Sequence, residues 1–117
     1  MLEEQVWHRF PQARMPLEAP KTQGVYVIRN SSGMVVHVGR TVRGRSGLAQ
    51  RLRNHLQGQS SFVQKSLAGK ASLLRQGYTY QFLEVHHDRT RALLKFIATA
   101  WHCPQHLGLG SLSKGSA

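Results

Sequence analysis

The stretch over residues 24–55 constrains the fold more than any other part of this sequence. It opens with a segment rich in Val, Ile and Tyr at 24–30, which favours a β-strand, and a turn at 31–33 leads into a second strand. A basic loop containing glycine occupies 40–47, and the leucines after it recur at the spacing of an amphipathic helix. The stretch therefore predicts an antiparallel hairpin followed by a helix.

The rest of the chain adds a third strand and further helices. A helix follows Ser60 or Ser61 as its N-cap, residues 78–85 have the composition of a strand, and a last helix ends near His102. The predicted fold class is α+β, with a small three-stranded antiparallel sheet flanked by helices.

A chain of 117 residues is long enough for one domain. The first 23 residues contain three prolines, which interrupt a long helix, and Trp7 and Phe10 there are candidates to pack as a lid on the domain. We expect an N-terminal arm at 1–23, the folded domain at 24–107 and a flexible tail at 108–117.

Helical spacing divides the last helix into an apolar face and a polar stripe. The apolar face, which we predict to lie in the core, comprises Leu93, Ile97 and Trp101. The polar stripe comprises Arg91, Lys95, Thr99 and His102.

Charge is the strongest signal in the composition. The chain has 16 Lys and Arg residues against 5 Asp and Glu, a formal net charge of +11. This balance favours a polyanionic partner, most often nucleic acid. A membrane surface is less favoured, because the sequence shows no long basic amphipathic helix. Cys103 is the only cysteine, and no signal pattern is evident, so we expect a cytoplasmic protein without a membrane span.

A tyrosine, two histidines and an arginine are predicted to meet at one corner of the sheet. Tyr26 lies on the first strand and His37 near the end of the second, while Arg51 and His55 are four residues apart and share one helical face. Tyrosine and histidine exchange protons, and arginine stabilises anionic oxygens, as cleavage of a phosphodiester requires. We expect nearby cations to lower the pKa of the tyrosine so that it can act as a base.

The order of these residues resembles that of the GIY-YIG nuclease domain. GVY at 24–26 and HVG at 37–39 are followed by a helix with Arg and then His four residues later, a third strand and a last helix. The resemblance covers roughly 24–104. The family includes homing endonucleases, some restriction enzymes and an incision subunit of nucleotide excision repair. The resemblance therefore implies metal-dependent hydrolysis of DNA.

By this resemblance, Tyr26, His37, Arg51 and His55 are the catalytic candidates. Tyr26, with His37 in the place of the family's second tyrosine, would activate water. Arg51 would stabilise the charge that develops on the phosphate, and His55 would relay a proton or hold a phosphate. The implied cofactor is Mg²⁺.

Lys95 departs from the family pattern. Counting back from Pro104 places the family's metal-binding glutamate at Lys95, and the asparagine often found after this helix would fall near Leu107. An ammonium group repels the divalent cation that a carboxylate attracts. We therefore assign no metal ligand, and we expect Mg²⁺ binding to be weakened and cleavage to be impaired or lost.

DNA, or another nucleic acid, is the expected partner. The predicted contacts to it are Arg40, Arg43, Arg45, Arg53 and Lys95. No separate target-recognition domain is evident, so recognition of a long site would need a homodimer or a partner. Three functions stay open: an inactivated nuclease, a natural pseudonuclease that binds without cutting, and, less favoured, a basic protein-interaction module.

Overall fold

The computed structural model describes residues 6–12, 15–42 and 47–102. Four strands, three α-helices and a short 3-10 helix at Ala71–Arg75 follow one another in these segments. In chain order, the labelled elements are β1 (His8–Arg9), β2 (Gly24–Arg29), β3 (Val35–Arg40), α1 (Gly47–Leu56), α2 (Ser61–Ser66), β4 (Thr79–Glu84) and α3 (Asp88–His102).

The strands form one antiparallel sheet in the order β1-β4-β2-β3. The α+β architecture is as predicted, but the sheet has four strands because β1 pairs with β4, with His8 opposite Tyr80. A strand of two residues is too short for the alternation of apolar and polar residues to reveal it. The neighbouring Phe10 is buried in the core.

Side chains alternate along β2 between two apolar clusters, one on each face of the sheet. Tyr26 and Ile28 pack with residues of α1 and α2 on one face. Val25 and Val27 pack on the other face, where Ala98 of α3 joins them. The helices therefore lie in separate layers, with α1 and α2 opposite α3.

The core-facing side of α3 differs from the prediction. Leu93, Ile97 and Trp101 are 60%, 48% and 72% exposed, whereas Arg91 is 1% exposed and Ala98 is buried. Apolar residues occur around most of this helix, so their spacing does not determine which side meets the sheet. The predicted polar stripe is the side that turns towards the sheet: Lys95, Thr99 and His102 are partly buried and Arg91 wholly so.

Arg91 fits in the interior because its guanidinium group is almost fully hydrogen-bonded. It donates from Nε to the Thr41 carbonyl oxygen at 3.2 Å, and from Nη1 to the carbonyl oxygens of Val85 at 2.9 Å and His86 at 2.8 Å. The Asp88 carboxylate accepts from Nη2 and offsets its charge. Arg91 thus ties α3 to the ends of both β3 and β4.

No helix in the described segments combines the length and the apolar character that crossing a bilayer requires.

We predict that Arg91→Met destabilises the protein by about 2–4 kcal/mol, because it leaves buried carbonyl oxygens without donors. Arg89→Met is the matched control, since Arg89 is exposed on the same helix, and it should change the free energy of unfolding by less than about 0.5 kcal/mol. Urea unfolding followed by circular dichroism measures both. Equal losses in the two variants would show that Arg91 does not hold the helix to the sheet.

Candidate functional site

The hydroxyl group of Tyr26 is the point where the four predicted catalytic side chains meet. Its oxygen lies 2.7 Å from Nε2 of His55, 3.4 Å from Nε2 of His37, and 3.3 Å from Nε of Arg51, which donates to it. β2, β3 and α1 each supply part of this cluster, which we call the tyrosine hub (Tyr26, His37, Arg51 and His55). The structure brings together all four of these residues.

Gly39 makes room for the tyrosine ring. Gly39 and Tyr26 are directly opposite each other in the β2–β3 pairing. A Cβ atom at Gly39 would lie 2.3 Å from the Tyr26 hydroxyl oxygen and 2.4 Å from its Cζ, closer than atoms can approach. The ring therefore folds across the backbone of the facing strand, and this is why glycine is required there.

Ser60 holds the far side of His55, and sequence reasoning missed this role. The Ser60 Oγ lies 2.6 Å from Nδ1 of His55, and it also accepts from the backbone N–H of Val63 at 3.2 Å as the N-cap of α2. The sequence indicated a serine cap at 60 or 61, but a local pattern does not show that the same hydroxyl contacts a histidine on another helix. His37 is fixed differently, by stacking on Phe62 with ring centroids 4.9 Å apart.

A neutral His55 can satisfy its two contacts in two ways. In one, Nε2–H donates to the Tyr26 oxygen and the Ser60 hydroxyl donates to Nδ1. In the other, the Tyr26 hydroxyl donates to Nε2 and Nδ1–H donates to Ser60. Passage from the second form to the first moves one proton from Tyr26 to His55 and one from His55 to Ser60, and it balances when Tyr26 takes up a proton and Ser60 releases one at the outer ends of the line.

The structure corrects the expected acidity of Tyr26. Burial raises the pKa of its hydroxyl above the ordinary value, and the charge and hydrogen bond of Arg51 lower it by less. Arg51 alone does not offset the loss of water around a ring that is wholly buried. The hub therefore contains a neutral tyrosine that orients Arg51, in place of a tyrosine already prepared to act as a base.

An open pocket of about 310 Å³ lies beside the hub, between the end of β3 and α1. Arg51 contributes to both, since it donates to Tyr26 and also lines the pocket. The residues that line the pocket are Arg40, Thr41, Val42, Gly47, Gln50, Arg51 and Asn54. Of the predicted nucleic-acid contacts, Arg40 lines this pocket and Arg53 lines a separate one. Arg43 and Arg45 lie outside the described residues.

Lys95 lies on α3, in the layer on the opposite face of the sheet. Its neighbour Leu94 and Ala98, one turn later, pack on the α3 face of the sheet, and Lys95 is partly buried there. Burial lowers the pKa of the Lys95 ammonium group, and the positive charges of Arg40 and Arg51 lower it further. Three cations, from β3, α1 and α3, therefore interact electrostatically with one another.

No protein-family model matches this chain, and no curated protein is similar enough in sequence to count as a match. Solved structures do match. Three point-mutant structures of the GIY-YIG N-terminal endonuclease domain of UvrC from Thermotoga maritima align with a TM-score of 0.54. The alignments cover 76% of this chain and 86% of that domain at 21–22% identity. This chain has the GIY-YIG fold.

The three UvrC domains are bound to a catalytic divalent cation. Hard divalent cations bind oxygen ligands, chiefly carboxylates. The charges that act on Lys95 are those of Arg40 and Arg51. Within 6–12, 15–42 and 47–102, no three His, Cys, Asp or Glu side chains form a group that could hold a metal ion.

We predict that Ser60→Ala destabilises the protein by about 2–3 kcal/mol, because it removes the helix cap and leaves Nδ1 of His55 without this partner. Ser61→Ala, one residue further along and exposed, should cost less than about 0.5 kcal/mol. Chemical denaturation measures the difference, and ¹⁵N spectra of the His55 ring should change only in the Ser60 variant. Unchanged His55 signals in Ser60→Ala would contradict the contact.

We predict that stability falls as the pH rises from about 10, the ordinary pKa of tyrosine, towards about 12. Burial, reinforced by the charge of Glu18, raises the pKa of Tyr80 to about 12, and burial also raises the pKa of Tyr26. Both hydroxyls stay protonated in the folded protein while the unfolded chain ionises, so each contributes a loss of up to about 1.4 kcal/mol per pH unit. Tyr80→Phe should flatten this decline in thermal unfolding measurements. An unchanged slope in that variant would show that its hydroxyl ionises normally.

Proposed function

We propose that this chain is a DNA-binding domain of the GIY-YIG nuclease type, in which metal-dependent cleavage is impaired by Lys95. The domain would bind the phosphodiester backbone at the pocket beside the tyrosine hub. Tyr26, His37, Arg51 and His55 are the proposed catalytic set, and Arg40, Arg53 and Lys95 are proposed contacts to the nucleic acid.

The single observation that carries this proposal is the double role of Arg51. Its guanidinium group donates to the buried hydroxyl of Tyr26 and also lines the open pocket. A guanidinium group held in this way offers a fixed, permanently charged donor to a phosphate that enters the pocket. The net charge of +11 supports a polyanionic partner for the same surface.

Hydrolysis of the bound phosphodiester would need more than binding. It needs a positioned water, a base that takes its proton, and positive charge on the transition-state oxygens. The hub supplies the positive charge through Arg51. The hydrogen-bonded line from Tyr26 to His55 and Ser60 supplies a route for a proton. What this chain lacks, on our proposal, is the carboxylate that would hold a divalent cation next to the phosphate.

A second candidate function is a pseudonuclease, which binds nucleic acid at this surface and has no cleavage role. The observation that favours it is the gathering of Lys95 with Arg40 and Arg51, since three cations suit a phosphate better than a metal. Formation of a homodimer, a cytoplasmic location and a folded unit with the bounds 24–107 remain predictions.

We predict that Lys95→Glu introduces Mg²⁺-dependent cleavage of DNA, because a carboxylate would attract the cation that the ammonium group repels. Nicking of a supercoiled plasmid measures this, with and without EDTA. Lys70→Glu is the matched control: Lys70 is exposed, lines no described pocket, and its replacement makes the same change in charge.

Tyr26→Phe or Arg51→Ala in the Lys95→Glu background should abolish any cleavage that appears. A Lys95→Glu variant that is folded and binds DNA but never cuts with Mg²⁺, Mn²⁺ or another divalent metal would remove the impaired-nuclease proposal and leave the pseudonuclease. Cleavage by the unmodified chain would show that Lys95 does not impair the site.

A further inference from the structure

We propose that Arg40, Arg51 and Lys95 together bind one phosphate group of the nucleic acid directly, with no divalent cation between protein and phosphate. The inference rests on the proposed binding of DNA and specifies how this chain would achieve it. On this proposal the pocket binds an anion, the phosphate, and not a divalent cation.

The geometry brings cations to this place from three separate elements. Arg40 ends β3 and Arg51 lies in α1, and both line the open pocket. Lys95 comes from α3 in the other layer, held against the sheet by Leu94 and Ala98. The charges of Arg40 and Arg51 both act on Lys95, and the folded sheet and helices hold the three cations in this arrangement although their charges repel.

The rest of the pocket offers neutral donors. Gln50 and Asn54, one turn apart on α1, line the pocket and are hydrogen-bonded to each other at 2.8 Å. Their amide groups carry N–H donors that suit the oxygens of a phosphate. A phosphate therefore meets both charge and hydrogen-bond donors, as backbone contacts in nucleic-acid complexes commonly do.

The repulsion among the cations gives the site its preference for an anion. A phosphate placed among them relieves this repulsion, whereas a divalent cation adds to it. The positive charges of Arg40 and Arg51 make it harder for Lys95 to stay protonated, and a bound phosphate reverses that effect.

The test compares Lys95→Met with Lys70→Met, which make the same change in charge at the lysine that interacts with Arg40 and Arg51 and at an exposed lysine elsewhere. The affinity for a short fluorescein-labelled DNA duplex is measured by fluorescence anisotropy in EDTA over a series of salt concentrations. Lys95→Met should weaken binding about tenfold and reduce the salt slope by about one, as loss of one phosphate contact predicts. Lys70→Met should leave the salt slope close to that of the unmodified chain.

Thermal unfolding separates loss of the site from loss of the fold. Both variants should remain folded at the temperature of the binding measurement, with a cooperative thermal transition above it. Weaker binding by a folded Lys95→Met protein therefore cannot come from unfolding. A binding loss that appears only under conditions where Lys95→Met is partly unfolded would overturn the inference.

Mg²⁺ gives an independent test. The unmodified chain should bind the duplex at least as tightly in EDTA as in Mg²⁺, whereas Lys95→Glu should bind it more tightly in Mg²⁺ than in EDTA. Binding by the unmodified chain that requires Mg²⁺ would overturn the direct contact. If the unmodified chain binds tightly in EDTA and Lys95→Met changes neither the affinity nor the salt slope, the direct phosphate contact is overturned. The proposed function would then stand. No binding under any condition would overturn both.

Discussion

The contact between the Tyr26 hydroxyl and Arg51 is the interaction on which the site depends. A tyrosine oxygen without water must find its hydrogen bonds inside the protein, and here an arginine and two histidines surround it. The ring reaches that position only because Gly39 has no side chain. Satisfying one buried hydroxyl therefore also fixes a guanidinium group at the rim of the open pocket.

The site lies where two layers of the fold meet at one edge of the sheet. The hub couples α1 to β2 and β3 on one face, and the buried Arg91 couples α3 to the ends of β3 and β4 on the other. The position of Lys95 relative to Arg51 thus follows from two polar anchors in different layers. Each anchor is a buried group whose hydrogen bonds join segments distant in sequence, which makes the relative placement of the helices specific.

The GIY-YIG fold determines where the side chains of the site lie, and the identity of those side chains determines the sign of the charge there. Solved UvrC domains with this fold hold a divalent cation. In this chain Arg40 and Arg51 line the open pocket, and their positive charges act on Lys95. A shared fold does not determine which ligand binds, because side-chain charges differ between chains that have the same fold. The structural similarity therefore identifies the architecture, while the chemistry has to be argued from the residues present.

The sequence by itself determined the hairpin and the helix after it, because these depend on strand composition and on helical spacing over short distances. It also indicated that Tyr26 and Arg51 meet, through the order of the residues that resembles the GIY-YIG domain. Only the tertiary structure decided which side of α3 faces the sheet, since the burial of Arg91 depends on carbonyl oxygens from other segments. The contact of Ser60 with the hub, the pairing of β1, and the raised pKa of Tyr26 likewise depend on burial and on distant neighbours. Local patterns carry no information about such partners.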